Sequence, residues 1–262
     1  MKRVKFFSLL ILIMVVQQAW AASVNKTERH VIAVQDLAKI GIRATNGSII
    51  VSVWPKDSVE IVAHKRVDGS DEKARQMLRN IKIFIKPQDG VLLVYADVPN
   101  ERRHGFWSWL FGMGIKNFSV NWEVKVPAKL AVEAQSTNGD IEVDDVNAPI
   151  AASTTNGNID ALRIGNKAEL HSTNGKIYVY YTHLPQMGTI DISTTNGEIE
   201  LILPTKAHCK ISAYSTNGTI SCDLRGATKR KSSRRECDVL LNKGGVEINL
   251  QTTNGDITVL NK

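Results

Sequence analysis

Alternation of apolar and polar residues is the dominant pattern in the chain, and it flanks a tripeptide that recurs. Thr-Asn-Gly occurs seven times. Apolar residues at every second position lead into it and out of it, as with Val246, Ile248 and Leu250 before Asn254 and Ile257 after Gly255. A period of two indicates β-strands with one buried face. Each repeat is therefore predicted to be a strand, a turn and a second strand.

The seven turns share a small residue two positions before the asparagine and an isoleucine two positions after the glycine. Their Asn-Gly pairs are Asn46-Gly47, Asn138-Gly139, Asn156-Gly157, Asn174-Gly175, Asn196-Gly197, Asn217-Gly218 and Asn254-Gly255. From Asn138 onward the spacings are 18, 18, 22, 21 and 37 residues. Such a period is typical of a solenoid or an array of repeats. The spacing of 37 indicates a degenerate turn or an insertion.

Two all-β architectures fit this pattern. Asn-Gly between alternating strands is a strong hairpin signal, which would give an antiparallel meander. A meander needs a second turn type of equal regularity, however, and the other connections are irregular. We therefore favour a parallel β-helix or solenoid in which each Thr-Asn-Gly lies over the next. In that fold each glycine takes a positive φ, and the asparagines hydrogen-bond from coil to coil.

The region between the first turn and the regular array is less repetitive. Residues 45–128 are predicted to form irregular N-terminal coils, with strands at 59–62, 81–86 and 91–95, and residues 129–262 to form the regular array. Ser70, Asp71 and Glu72 predict the start of one short helix. Alternation at Val120, Trp122 and Val124 predicts a strand that leads into the array.

The first residues have the features of a secretory signal peptide. Lys2, Arg3 and Lys5 precede an uncharged apolar run over residues 6–16, and Ala19-Trp20-Ala21 is a cleavage site of the small-x-small type. The alternative is a membrane anchor, for which the run is short, because a span needs about 20 apolar residues. The chain is therefore expected to lose residues 1–21. Residues 22–262 would then form a single exported domain in the periplasm or at the cell surface.

Positive charge is concentrated in one segment. The predicted leader carries three of the 33 basic residues and none of the 26 acidic ones, so the net charge falls from +7 to +4. Residues 225–236 hold six basic residues and one acid, and the rest of the mature chain sums to −1. This basic loop contains no aromatic residue, which argues against nucleic-acid binding. It is either a solvated insertion or a contact for anionic lipid or polysaccharide.

A second unusual segment, residues 104–118, is rich in aromatic residues between glycines. It contains Phe106, Trp107, Trp109, Leu110 and Phe111. One interpretation is a cap over an open sheet edge at the end of the solenoid. The other is an exposed loop that contacts a partner or the membrane interface, where tryptophan is favoured.

Few residues suggest chemistry. The chain contains no hydrolase, zinc-protease, phosphate-loop or dinucleotide motif, so no catalytic residue, metal or cofactor is predicted. His171 is expected to point outward alone. Asp140 and Asp160 could neighbour each other across coils, as in β-helix enzymes that cleave acidic polysaccharides. Since export permits disulfides, Cys222 and Cys237 are candidates for a bridge that clamps the basic loop, while Cys209 is expected to face inward.

The serial Ser/Thr-Thr-Asn-Gly-x-Ile turns, with Val126-Pro127 and Leu203-Pro204 entering coils, resemble the putative-adhesin β-solenoid family of the bacterial cell envelope. This family is related to the GIN-type putative adhesin head domains, which are domains of unknown function. The resemblance covers about residues 30–260 and implies a right-handed, single-stranded, non-catalytic solenoid that is exported. The expected function is a scaffold or binding protein whose partner is an envelope protein or polysaccharide.

Two other functions compete with this one. An envelope-stress or regulatory accessory protein would contact a membrane partner through the aromatic segment. A polysaccharide-active enzyme would carry two carboxylates about 5–10 Å apart in a cleft.

Overall fold

The computed structural model describes residues 23–34, 36–97 and 118–262, and these residues form an all-β fold with one helix. Sheet I contains, in spatial order, β1 (Ser23–Ala33), β4 (Ser58–Asp68), β7 (Phe118–Val126), β3 (Ile49–Val53), β9 (Ile141–Asp144), β11 (Ile159–Ile164), β13 (Ile177–Tyr181), β15 (Ile199–Leu203), β21 (Ile257–Asn261) and β17 (Ile220–Asp223).

Sheet II contains the strand that precedes each Asn-Gly turn. Its spatial order is β18 (Ala227–Ser232), β19 (Glu236–Leu241), β16 (Cys209–Asn217), β20 (Val246–Asn254), β14 (Thr189–Asn196), β12 (Ala168–Asn174), β10 (Ile150–Asn156), β8 (Ala131–Asn138), β2 (Lys39–Asn46), β6 (Val91–Asp97) and β5 (Lys82–Gln88). Beyond the last repeat in this order, β18 and β19 extend the sheet by two strands. The helix, α1 (Glu72–Asn80), follows β4. Within the described ranges no helix is long and apolar enough to cross a membrane.

The two strands of each repeat lie in different sheets. β8 belongs to sheet II and β9 to sheet I, and Asn138-Gly139 connects them. Strands of successive repeats pair in parallel, with Val132 opposite Ile150 and Ile141 opposite Ile159. The Asn-Gly pairs are therefore corners between two sheets, and the hairpin alternative is wrong for these repeats.

The core lies between the sheets and is built from the alternating apolar positions. The isoleucines that follow the turns stack on one another, and Ile49, Ile141, Ile159, Ile177, Ile199 and Ile257 are at most 1% exposed. Each of these side chains is covered by the coils on both sides. A single coil therefore cannot bury its own apolar face, as in other repeat proteins.

The spatial order of the coils departs from the order in the chain at one end. The last coil, β20 with β21, lies between the coil β14/β15 and the coil β16/β17. The expectation that each turn lies over the next turn in sequence is therefore wrong for the last two. The spacing of 37 residues contains an insertion, the antiparallel pair β18 and β19.

At the other end the two sheets are extended by β1, β4, β5, β6 and β7, which together with α1 we name the N-terminal elaboration. β4 runs antiparallel to both β1 and β7, and α1 packs against β1 and β4. Asp71 caps the helix by accepting a hydrogen bond from the backbone N–H of Ala74 at 2.8 Å. Ala74 and Leu78 face the core, as the helical spacing predicts.

Two charged side chains are buried among the described residues of this elaboration, and both are paired. Glu60 is 2% exposed and bonds to Arg29 on β1 and Lys125 on β7. Hydrogen bonds from these two side chains lower the pKa of Glu60. Lys65 is 3% exposed, donates to the carbonyl oxygen of Ile81 at 2.8 Å and pairs with Glu28. Pairing meets the requirement that buried charges be compensated.

Candidate binding surfaces

The asparagines of the seven turns form one continuous ladder. In each step the side-chain Nδ2 of one asparagine donates to the Oδ1 of the asparagine in the adjacent coil, over 2.7–2.9 Å. The spatial order is Asn46, Asn138, Asn156, Asn174, Asn196, Asn254 and Asn217. Asn46 and Asn138 are 92 residues apart in the chain, so the first turn joins the array despite the intervening elaboration.

A second ladder runs inside the first and was not foreseen from the sequence. The hydroxyl two positions before each asparagine donates to the glycine carbonyl of the neighbouring coil, for example Thr194 Oγ1 to Gly175 O at 3.0 Å. Six turns have this contact, made by Ser136, Thr154, Ser172, Thr194, Ser215 and Thr252. The seventh turn has Ala44 there. Its neighbour on the other side is the coil β6/β7, whose strands are not joined by a Thr-Asn-Gly turn.

Close approach between coils requires a glycine at the turns, whatever the backbone φ. A Cβ on Gly175 would lie 1.8 Å from the carbonyl oxygen of Gly157, and one on Gly197 would lie 1.9 Å from that of Gly175. The expected positive φ is found at four of the seven turns, at Gly47 (137°), Gly139 (158°), Gly157 (159°) and Gly255 (157°). Gly175, Gly197 and Gly218 lie outside the range from +20° to +160°. Coils pack so tightly at this edge that only hydrogen fits.

The outer face of sheet II presents a row of polar side chains in register. The row crosses nine strands and consists of Tyr95, Arg43, Gln135, Ser153, His171, Ser193, Gln251, Tyr214 and Glu236. At about 4.8 Å between strands it extends about 40 Å. The ring of Tyr95 is stacked on Phe84, with centroids 5.2 Å apart. At the other end Tyr214 is 48% exposed.

A groove of about 440 Å³ opens in this face beside Tyr95. Arg43, Gln135 and Ser153 line it together with backbone and side chains of the turn edge. A guanidinium, an amide and a hydroxyl beside an aromatic ring can donate and accept several hydrogen bonds to a polar ligand. We name this row and groove the polar face.

His171 is not alone, in contrast to the expectation from sequence. Its Nδ1 lies 2.6 Å from Ser193 Oγ and its Nε2 lies 3.2 Å from Glu169 Oε1. This arrangement resembles the Ser-His-acid triad of hydrolytic enzymes. The side chains nevertheless stand on a flat sheet, where the backbone N–H groups of β12 and β14 are held in strand ladders. These N–H groups cannot turn toward an oxyanion. The contacts of His171 therefore link side chains on the surface of the sheet.

Asp140 and Asp160 are electrostatic neighbours, as the sequence suggested. Burial raises the pKa of Asp160, the charge of Asp140 raises it further, and Lys176 opposes this shift. Asp140 Oδ1, however, accepts the backbone N–H of Asn158 at 2.7 Å. That bond is part of the turn stack, since Asn158 and Asp256 make the equivalent contact in other coils. Asp140 therefore has a structural role in the stack.

The three cysteines are buried. Cys209 lies on β16 with Ile211 and Ala213 on the same inward face, as predicted, and burial raises the pKa of its thiol to about 12. Cys222 lies in sheet I and Cys237 in sheet II. The structure contains no disulfide between them, and their pairing in an oxidising compartment stays a prediction. No cluster of His, Cys, Asp or Glu in the described parts of the chain could hold a metal ion.

The basic segment is part of a β-hairpin rather than a loop. β18 and β19 pair antiparallel, with a bulge between Lys229 and Lys231, and residues 233–235 connect them. The side chains of Cys237, Val239 and Leu241 are buried, so the hairpin covers one end of the core. We name residues 225–236 the basic cap.

Two predicted segments lie outside the described residues. These are the leader, residues 1–21, and the core of the aromatic segment with Phe106, Trp107, Trp109, Leu110 and Phe111. Phe118, the last residue of that segment, is the first residue of β7 and is 9% exposed.

Comparisons with known proteins give one family match and several matches to solved structures. The family described as Toastrack DUF4097 matches residues 103–260. A putative cell adhesion protein from Clostridium sporogenes is 11% identical with a TM-score of 0.46, covering 91% of this chain and 100% of that one. A putative adhesin from Bacteroides fragilis is 14% identical with a TM-score of 0.35, covering 90% and 97%. No curated protein matches the chain significantly.

Proposed function

Because the chain belongs to the Toastrack DUF4097 family, we propose that it is an exported, non-enzymatic binding protein of the bacterial cell envelope with an adhesin-like role. We further propose that the coils form a single-stranded β-helix, in which one polypeptide chain winds around the core with a right-handed turn. The basic start, apolar run and small-x-small site at residues 1–21 support export. The solved structures similar to it include proteins described as putative adhesins.

The observation that carries this proposal is the polar face. Parallel ladders hold its side chains at a fixed spacing, so little conformational entropy is lost when an extended partner binds. Hydroxyl, amide and guanidinium groups with aromatic rings at both ends suit a polysaccharide, which offers many hydroxyl groups along a repeating chain. We propose an envelope polysaccharide as the partner, bound along the row.

Retention of envelope material by the immobilised protein tests this function. The wild-type protein should retain the polysaccharide fraction of an envelope extract. The double variant Arg43→Ala and Gln135→Ala should lose it, because both side chains line the groove. The matched control is Glu142→Ala with Tyr178→Ala, on the outer face of sheet I.

Three results would contradict the proposal. The first is no retention by the wild-type protein. The second is an equal loss in both double variants. The third is a retained component that is protein and is unaffected by either pair, which would favour an accessory protein with another contact surface.

A further inference from the structure

The basic cap covers the end of the solenoid from one edge to the other. On the turn edge, Arg234 O accepts from Ile220 N at 2.9 Å and Arg235 O accepts from Ser215 N at 3.0 Å, on either side of Asn217. Before β18 begins, Arg225 N donates to Asn261 Oδ1 at 3.0 Å. The basic residues therefore span the terminal coil rather than forming one compact point.

Most of this charge is exposed and uncompensated. Arg225, Arg230 and Arg235 are exposed, and none of the three forms an ion pair with any described residue. Lys231 pairs with Glu236 at 2.5 Å, and Arg234 Nε lies 3.4 Å from Thr219 Oγ1. The mature chain outside the cap sums to −1. The net positive charge of residues 22–262 is therefore concentrated in the basic cap, at one end of the molecule.

From these observations we propose that the basic cap attaches the protein end-on to a membrane surface through anionic phospholipid headgroups. Clusters of four to eight Lys and Arg residues bind such surfaces without needing a pocket. The exposed uncharged residues within the cap include Thr228, Ser232 and Ser233, and no residue of the cap carries an aromatic ring on which a sugar or a base could stack. A plane of negative charge is the partner that this end fits best. The inference goes beyond the proposed polysaccharide binding, which uses the polar face and meets the cap only at Glu236.

A second explanation for the same charges must be separated from this one. β18 is the edge strand of sheet II, and Lys or Arg residues and a bulge on an edge prevent pairing with another chain. If edge protection were the only role, removing the charges would cause self-association, and the wild-type protein would not bind lipid.

Vesicle sedimentation with purified protein decides between them. Wild-type protein should bind vesicles of equal parts phosphatidylglycerol and phosphatidylcholine but not vesicles of phosphatidylcholine alone. Binding should disappear at about 1 M salt, where the screening length is about 3 Å. The variant with Arg225, Arg230 and Arg235 each changed to Gln should bind about 100-fold more weakly, given about a fivefold effect per charge.

Two matched variants complete the experiment. Changing Lys73, Lys82 and Lys129 to Gln removes the same charge from exposed positions elsewhere and should leave the affinity nearly unchanged. Changing the three arginines to Lys keeps the charge and should keep binding. Size-exclusion chromatography and a thermal melt of each variant report self-association and folding.

Four outcomes would overturn the proposal. These are no binding of anionic vesicles by the wild-type protein, equal loss in both Gln variants, loss in the Arg→Lys variant, and binding of polygalacturonate in place of vesicles. Because polysaccharide capture depends on Arg43 and Gln135, failure of one proposal leaves the other testable.

Discussion

At the scale of single residues, the turn edge is determined by contacts between coils. Asn, Gly and the hydroxyl residue each contact their counterparts in the adjacent coil. Their recurrence in the sequence therefore reflects stacking rather than the local demands of a turn. The sequence predicted the asparagine ladder for this reason. It did not predict the hydroxyl contact. The signal was present, because the residue two positions before the asparagine is Ser or Thr in six coils and Ala44 in the first.

The close approach of glycines gives the first prediction. Gly175→Ala should destabilise the protein by at least about 3 kcal/mol, because a Cβ 1.8 Å from Gly157 O forces two backbones apart. Gly41→Ala is the control, since its Cβ would meet side-chain atoms rather than backbone, Leu93 Cδ2 at 3.1 Å and Val91 Cγ1 at 4.0 Å. Denaturant unfolding measures both. Equal stability of the two variants would contradict the stacking of the turns.

The asparagine ladder gives the second prediction. Asn174→Ala removes two ladder bonds, one donated to Asn156 and one accepted from Asn196, and should cost about 1–3 kcal/mol. Asn217→Ala at the end of the ladder removes one bond and should cost about half as much. A larger loss at Asn217 than at Asn174 in denaturant unfolding would show that the ladder does not act as described.

Asp160 gives the third prediction. Its pKa is raised in the folded protein, so the folded state binds the proton more tightly and the charged form is disfavoured at neutral pH. Asp160→Asn should therefore stabilise the protein at pH 7, by no more than about 0.5 kcal/mol. The gain should fade as the pH falls to the ordinary value of 3.8. Melts of both proteins across pH check it, and a gain that grows in acid would have the wrong sign.

At the scale of elements, the periodicity of the sequence predicted where most strands and the helix lie along the chain. It did not predict the order of the strands in the sheets. Alternation located the array strands and β7, and the acidic start at Asp71 located α1. The order of the coils was missed because any Thr-Asn-Gly turn can stack on any other, so local sequence carries no information on neighbours. The hairpin of the basic cap was missed because its outer strand is almost entirely polar. The alternating Cys237, Val239 and Leu241 of β19 were the available signal.

The aromatic segment gives the fourth prediction, since it joins β6 to β7 where other coils have a turn. Replacing Trp107 and Trp109 by Ser should lower the melting temperature and leave binding to envelope material unchanged, if the segment covers an open end of the solenoid. A side chain of this size contributes roughly 1.5–3 kcal/mol when buried. Tyr180→Ser, an exposed change on sheet I, is the control. An unchanged melt with lost association would instead support a docking loop.

At the scale of the whole molecule, the last coil holds the end of the solenoid together. β20 lies between β14 and β16, and β21 lies between β15 and β17. The coil β16/β17 and the basic cap therefore pair with the rest of the two sheets through β20 and β21. The molecule therefore carries two candidate binding surfaces, the polar face along its length and the basic cap at one end, which meet at Glu236.

Disulfide trapping tests this architecture most directly. Ser193 and Gln251 are opposite each other in parallel strands, at about 4.8 Å, within the range that a disulfide spans. Ser193→Cys with Gln251→Cys should therefore form an intramolecular bridge under mild oxidation. Ser193→Cys with Tyr214→Cys should not, because β20 separates these residues. A bridge in the second pair and none in the first would show that the coils stack in chain order and would contradict the account.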